Sequence, residues 1–390
     1  MITWLDRILG RLTMYGLVIA CLAGLALVAA VLSLLGWFPF GPLELVASAA
    51  VLLAVCLGTG RLAGAILRMR PQTSSAIITA LLLLFIFQPT LDPAGLGWLA
   101  LAALVATASK YLVAVRGRHV LNPAAAGAFV VGLLPTLSGT FVVWWPGTAV
   151  MLPFTALGAL LVLLRTRRLW LGGAFIAAAS LTWGAWFALN GFGAAEGVLF
   201  ALASYPTVFF AGFLLSEPLT LPPRRWQQLL EAVVVAVLFG VSFNIAGVVS
   251  SSPQLALLAG DLLAFAFGQR RAIRLTFTGH ARLTPSSWEF EFRPDHPVRF
   301  EPGQFMELTL PHAGTDARGW RRVFSIACGP GGSVRFGVRI PERASSFKRA
   351  LLELEPGTRV TATGVGGDFV LPADGSRLLL VAGGIGITPF

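Results

Sequence analysis

The sequence predicts a multi-domain chain in which a polytopic α-helical membrane bundle of about ten helices precedes a six-stranded antiparallel β-barrel and the opening of an α/β domain. Two observations separate bundle from barrel. Long apolar segments recur with few charges as far as Phe267, and beyond it charges become frequent while apolar runs shrink to strand length. A third marks the last domain, because Leu378–Val381 reads as a buried strand running into the glycine turn Gly383–Gly386. The boundaries fall at residues 1–268, 269–375 and 376–390.

A helix needs roughly 20 mostly apolar residues to cross a bilayer, with shorter ones tolerated inside a bundle. That ruler places apolar cores at Tyr15–Leu35, Leu45–Leu57, Ala76–Phe87, Leu96–Ala108, Ala124–Leu134, Val150–Leu164, Leu169–Leu189, Val198–Leu215, Leu229–Val249 and Leu255–Phe267. Only 12% of the residues are charged and 56% are hydrophobic, as expected where lipid is the main solvent. The uncharged run Leu12–Leu43 is longer than the core of a cleavable signal peptide and reads as a retained first helix.

Basic residues favour the cytoplasmic side of short loops, which tests the helix count independently. Before the sheet region they fall at Arg7 and Arg11, in the even-numbered connections, or at the exit of the tenth helix (Arg270, Arg271). Those connections hold Arg61, Arg68 and Arg70; Lys110, Arg116 and Arg118; Arg165, Arg167 and Arg168; and Arg224 and Arg225. The odd-numbered connections carry Glu44, Asp92 and Glu196 or no charge. This pattern predicts a multi-pass protein of the inner (cytoplasmic) membrane, with the N-terminus and the C-terminal module both cytoplasmic.

Composition also excludes several classes. The formal charge of +11 is spread between apolar segments instead of gathered on one face, which argues against a nucleic-acid partner. Cys21, Cys56 and Cys328 form no C-x-x-C pair, so neither a disulfide framework nor an iron–sulfur ligand set is expected, and no metal site is predicted. His119 is the only histidine near the bilayer, since His280, His296 and His312 fall in the soluble part; transmembrane haem, which needs histidine pairs, is not expected.

Six strands are predicted at Ile273–Arg282, Ser287–Arg293, Gln304–Leu310, Arg322–Ala327, Val334–Ile340 and Arg359–Gly364, with one helix at Phe347–Leu354 opened by Ser345 or Ser346. Arg322-Val323-Phe324-Ser325 is the most informative tetrapeptide. Alternate strand residues face one way, so Arg322 and Phe324 can address one ligand. An arginine can clasp a diphosphate bidentately, an aromatic ring can lie on a flavin or ribityl, and the Ser325 hydroxyl can meet the flavin edge. Alone, the four residues equally fit an ordinary amphipathic strand. Downstream lie Ser345-Ser346-Phe347-Lys348, whose helix start could hold an anion, then Gly364-Val365-Gly366-Gly367-Asp368-Phe369, then the run from Leu378 to Pro389.

In order and spacing, residues Ile273 to Phe390 resemble the ferredoxin–NADP reductase superfamily, whose pattern runs R-x-[YF]-S, a Ser-rich helix start, G-P-x-G-x-F and G-G-x-G-[IL]-[TA]-P. The resemblance implies FAD held by Arg322, Val323, Phe324, Ser325, Arg339, Ser345, Ser346, Gly367, Asp368 and Phe369, with Ser325 at the reacting edge. It implies NAD(P)H as substrate, met by Gly383, Gly384, Gly386 and Thr388. Val365 replaces the usual proline, and Ala344 stands where glycine is common. Such a fold needs further strands and helices after Phe390, so the sequence is expected to stop inside its nucleotide-binding domain.

In the bundle, two polar stretches stand out: Arg116–Ala125, with Lys110 before it, and Ser216–Pro222. Each alone fits a helix cap with basic anchors. Together they resemble the D-type membrane component of the Rnf electron-transport complex and its B-type counterpart in the sodium-pumping NADH:quinone reductase, which carry K/R-H-x-x-N-P-A-A and T-D-P-V-T stretches in that order. That resemblance implies a flavin within the membrane and places Lys110, His119, Asn122, Pro123, Glu217, Pro218 and Thr220 among flavin or acceptor candidates, Glu217 standing where the family has Asp. The family's [ST]-x-A-T attachment sequence is not matched by Ser138-Gly139-Thr140 or Pro146-Gly147-Thr148, so any flavin here is expected to be non-covalent. Asp261, an acid within the tenth helix, is either a proton or ion relay or the partner of a basic residue.

The expected activity is electron transfer from NAD(P)H through FAD to a quinone, ferric iron or a protein acceptor at the membrane. Two alternatives stay open: a ferric-reductase-like enzyme, and a transporter or channel with a regulatory flavin domain.

Overall fold

The computed structural model describes residues 13–67, 71–115, 118–134, 142–245, 249–269, 273–314, 316, 320–329, 331–362, 365–367, 369–371, 377–381 and 383–388. The chain forms two compact units, Met1–Leu221 with Gln228–Phe265, and Pro222–Gln227 with Ala266–Phe390.

A helix stands at each of the ten positions the sequence marks. Several start where a small polar residue or glycine precedes proline, a pairing that supplies a cap acceptor and a residue with no N–H to satisfy. Asp92 accepts from Gly95 N–H at 2.8 Å ahead of Pro93–Leu112, and Asn122 accepts from Ala125 N–H at 3.1 Å ahead of Pro123–Gly132. Ser252 does the same for Pro253–Ala264, and Glu44 Oε2 accepts from Gly41 N–H ahead of Pro42–Ile66. Among the described residues, Met14–Leu34, Pro42–Ile66, Pro93–Leu112 and Leu169–Leu189 are long and apolar enough to cross a membrane. The shorter apolar helices Thr73–Ile86, Pro123–Gly132, Leu152–Arg165 and Pro253–Phe267 accompany them.

Two helices depart from expectation. The eighth is broken into Ala194–Ala203 and Thr207–Leu214, bent by 57°. Pro206 lacks an N–H and restrains Tyr205 before it, so the backbone cannot continue. The second piece ends in a π-helical stretch, Phe210–Leu214. The ninth, expected over Leu229–Val249, spans Arg225–Gly240 and gives way to a small hairpin. Asn244 Nδ2 donates to Ser250 Oγ at 2.8 Å and Ser251 N–H to Phe243 O at 2.8 Å, so local side-chain and backbone bonds replace the helix end. Strands β1 (Ala114–Val115) and β2 (Arg118–His119) form one two-stranded ladder, and β3 (Asn244–Ile245) and β4 (Val249–Ser250) another.

The second unit holds one antiparallel sheet of β5 (Ile273–Thr284), β6 (Ser287–Pro294), β7 (Phe305–Thr309), β8 (Arg321–Ser325), β9 (Val334–Arg339) and β10 (Arg359–Ala362). Their order is β8-β7-β10-β5-β6-β9, and the predicted strands are recovered within a few residues at each end. Alternation packs Leu275, Phe277, Phe290, Phe292, Met306, Leu308, Phe336, Val338 and Val360 with Phe347 and Leu351 into its core. The sheet does not close into the expected barrel, since β8 and β9 do not pair. Past Ser325 the Cys328 sulfur accepts Arg335 N–H at 3.4 Å, taking a donor that a strand partner would use. One backbone bond, Ala327 N–H to Arg335 O at 2.8 Å, and the Phe324–Phe336 ring contact at 5.9 Å bring these edges together instead.

Residues 378–381 also differ from expectation. They form no strand, and Leu379 is 90% exposed. A buried parallel strand needs neighbours at its edges and on its faces, and none covers it among the described residues.

Candidate functional site

The register of β8 against β7 sets the first part of the site. Leu308 faces Arg322 and Met306 faces Phe324, so Arg322 and Phe324 point to one side, as predicted. Both reach Phe347, on the seven-residue helix Ser346–Leu352: the guanidinium carbon lies 5.3 Å from its ring centroid, and the Phe324 ring 5.8 Å away. Ser345 caps that helix, accepting from Lys348 N–H at 3.4 Å.

Arg322 pairs with a carboxylate of the chain. Its Nη2 donates to Asp316 Oδ1 at 2.9 Å and Oδ2 at 3.2 Å, and its Nη1 donates to Arg321 O at 2.6 Å. Asp316 N–H donates in turn to Ser346 Oγ at 2.9 Å. His312 completes the chain, with Nδ1 2.8 Å from Leu310 O and Nε2 3.0 Å from Ser346 Oγ. A carbonyl can only accept, so for neutral His312 the proton is on Nδ1 and Nε2 accepts the Ser346 O–H. Arg322, Phe324, Ser345 and Ser346 are therefore brought together.

The other candidates are distributed differently. Val323 points away and is exposed, Ser325 is exposed at the end of β8, and Arg339 ends β9 with its carbonyl accepting from Lys348 Nζ. Gly367 has φ +109°, and a Cβ there would come within 2.9 Å of the Phe305 ring. Both the positive φ and the nearby ring favour glycine there. Phe369 is exposed, and Asp368 lies outside the described residues. Gly383, Gly384 and Gly386 lie in or beside the short turn Gly384–Ile387, which leads to Thr388. Thr388 packs on Gly337 of β9, where a Cβ would meet its methyl at 2.8 Å.

In the bundle the two polar stretches meet at Asn122, 1% exposed. Its Nδ2 donates to Glu217 Oε2 at 2.8 Å, its N–H donates to Asp261 Oδ2 at 2.6 Å, and its Oδ1 caps the helix beginning at Pro123. His119 Nε2 lies 3.1 Å from Glu217 Oε1. Thr220 is buried nearby with its hydroxyl 3.5 Å from Glu217 O, and Pro218 lies between them in sequence. Lys110 Nζ turns instead to Ser75 O and Oγ, both at 3.0 Å. Close helix approach holds this region, for a Cβ on Gly127 would come within 2.4 Å of Ala102 O.

A separate cavity of about 360 Å³ in the same unit is lined by Trp144, Trp145, Thr148, Ser204, Tyr205 and Gln254 among other uncharged residues. Thr148 Oγ1 is buried there without a hydrogen-bond partner, whereas Thr140 lies outside the described residues.

The chain has named relatives. It is 35% identical over 100 residues to the reductase subunit of an aromatic O-demethylase from an Amycolatopsis species, and 35% identical over 97 residues to the probable electron transfer subunit of an NAD(+) dihydroorotate dehydrogenase B from Methanopyrus kandleri. These matches cover 24% and 25% of this chain but only 28% and 33% of those proteins. Among solved structures it is similar to an Amycolatopsis cytochrome P450 reductase, at TM-score 0.28 and 30% identity over 30% of this chain and 36% of that one. Phthalate dioxygenase reductase gives TM-score 0.28 and 23% identity over 31% and 38%. No protein-family model matches the chain.

Sequence reasoning missed three residues here. Asp316 and His312 had no signal, because their partners are fixed only by folding. Glu231, 1% exposed, did have one: like Asp261 it is an acid inside an apolar helix.

Proposed function

We propose that this chain is a membrane-bound flavin-dependent oxidoreductase that passes electrons from NAD(P)H by way of FAD to an acceptor at or within the helical unit. The observation that carries this is the convergence of Arg322 and Phe324 on Phe347, beside Ser345 and Ser346 at the start of the same helix. The residues fit the group, since the Arg322 guanidinium already holds an oxyanion, the Asp316 carboxylate, through Nη2. Arg322 would hold the diphosphate, Phe324 the ring or ribityl, and Ser325 the flavin edge, within a domain spanning residues 269–375. The chemistry FAD supplies when bound is acceptance of a hydride and release of single electrons. The similarity to a reductase subunit and an electron transfer subunit supports this reading. Residues 376–390, with Gly383, Gly384, Gly386 and Thr388, would begin the NAD(P)H-binding domain.

Large apolar side chains exposed along the helices, such as Leu34, Leu43, Leu62, Ile66, Leu181 and Leu189, support lipid contact, and the basic-residue pattern supports ten spans with the sheet unit on the cytoplasmic side of an inner membrane. The meeting of His119, Asn122 and Glu217 supports the resemblance to the membrane components of the Rnf complex and the sodium-pumping quinone reductase. His119 and Asn122 are buried and both are bonded to Glu217, an arrangement that suits a lock between segments better than a bed for a second flavin. For the acceptor, an uncharged cavity with aromatic and hydroxyl walls suits a neutral ring such as a quinone better than ferric iron, which needs anionic oxygen ligands.

Arg322→Ala tests the proposal. Purified protein should lose most of its FAD, read from flavin absorbance per mole of protein, while remaining in the membrane fraction. Unchanged flavin content would overturn the assignment.

A further inference from the structure

Resting on the reading that Arg322 receives the FAD diphosphate, we propose that Asp316 is an internal competitor for the same guanidinium, so that flavin enters by displacing a carboxylate of the chain itself. Arg322 and Asp316 are joined through Nη2 to both carboxylate oxygens, at 2.9 and 3.2 Å. The contact is only partly shielded, with 15% of the arginine side chain and 28% of the aspartate side chain exposed. A partly hydrated pair of this kind is modest in strength and can be exchanged. The carboxylate is delivered to that place by the backbone, because Asp316 N–H donates to Ser346 Oγ at 2.9 Å. Ser346 is held in turn by His312, whose own ring is fixed on Leu310 O. The same two residues expected to hold phosphate, Arg322 and Ser346, are thus engaged by one aspartate.

The chemistry excludes comfortable sharing. Asp316 holds Nη2 and Arg321 O holds Nη1, so a diphosphate seeking the same guanidinium is placed a few ångströms from the carboxylate, with like charges together. Phe347 covers one face of the guanidinium with its ring centroid 5.3 Å away, which limits the directions from which two anions can approach. Asp316 must therefore swing out when a diphosphate arrives, and flavin affinity is the difference between two ionic contacts. Removing the charge at 316 while keeping the backbone N–H to Ser346 weakens the competitor and leaves the receptor intact.

The test is a flavin titration of the full chain in detergent after its flavin has been removed, following quenching of flavin fluorescence for the unmodified protein, Asp316→Asn, Asp316→Ala and Arg322→Ala. Both Asp316 variants should bind FAD about tenfold more tightly, the effect of losing roughly one charge-assisted contact. Riboflavin, which has no phosphate, should show no such gain. Equal or weaker FAD binding by both variants would overturn the proposal and make Asp316 a residue that positions Arg322. A gain of equal size for riboflavin would also overturn it, by tracing the effect to the ring site. If the Asp316 variants fail in this way while Arg322→Ala still loses FAD, the flavin site stands without the competitor. Should Arg322→Ala bind FAD as the unmodified protein does, the site itself is wrong and the proposal falls with it.

Discussion

The network at Asn122 and the network at Arg322 use the same chemistry in opposite surroundings. In the helical unit, Asn122 and Asp261 are each 1% exposed, so no water stands ready to replace the bond between them, and Asn122 extends the network to Glu217. In the sheet unit, Arg322 holds Asp316 with both side chains partly in solvent, and each has an alternative partner outside the protein. Burial converts a hydrogen-bonded carboxylate from an exchangeable contact into a structural requirement. The first arrangement fixes segments distant in sequence, and the second is suited to release.

That contrast is tested most severely at Asn122. Asn122→Ala removes the cap of Pro123–Gly132 and leaves Glu217, a quarter exposed, with His119 but without its Nδ2 donor, a combination expected to cost about 2 kcal/mol. Thermal unfolding in detergent should show a large fall in midpoint or loss of the folded protein. An unchanged midpoint would mean that the network is not structural.

Glu217→Gln sharpens the same comparison with a smaller step. The amide keeps an acceptor for Asn122 but removes the charge beside His119, so the expected loss is about 1 kcal/mol. A loss as large as that of Asn122→Ala would move the centre of the network from the amide to the carboxylate.

The difference also explains what the sequence disclosed. Helix positions were legible because a membrane-length apolar run and a polar-Pro start are local signals, as at Asp92-Pro93 and Asn122-Pro123. The six strands were legible from alternation, and the pairing of Arg322 with Phe324 followed from a period of two. Asp316 was hidden because its partner, Ser346, is 30 residues away and the contact depends on how β8 meets the helix Ser346–Leu352. The break at Pro206 was visible in the residue type yet outweighed by the apolar run around it. The sheet stays open between β8 and β9, where Ala327 N–H and the Cys328 sulfur meet Arg335, an edge that no pattern of hydrophobicity encodes. Leu378–Val381 has strand composition, but composition does not supply the neighbours that bury a strand.

The smallest expected effect lies at the exchangeable network. Arg322→Lys keeps the positive charge and the contact with Asp316 but loses the planar fork, so stability of the flavin-free protein should change by no more than about 0.5 kcal/mol. FAD affinity should nonetheless fall, because a diphosphate uses two parallel N–H donors that an ammonium cannot present in that geometry. Unfolding of the flavin-free protein and flavin titration read the two quantities separately. A large loss of stability with unchanged FAD affinity would reverse the comparison, making Arg322 a structural residue and leaving the anion site to be sought elsewhere. The separation of the two readouts is what distinguishes a contact kept for binding from one kept for folding, and Arg322 is where this chain should show it.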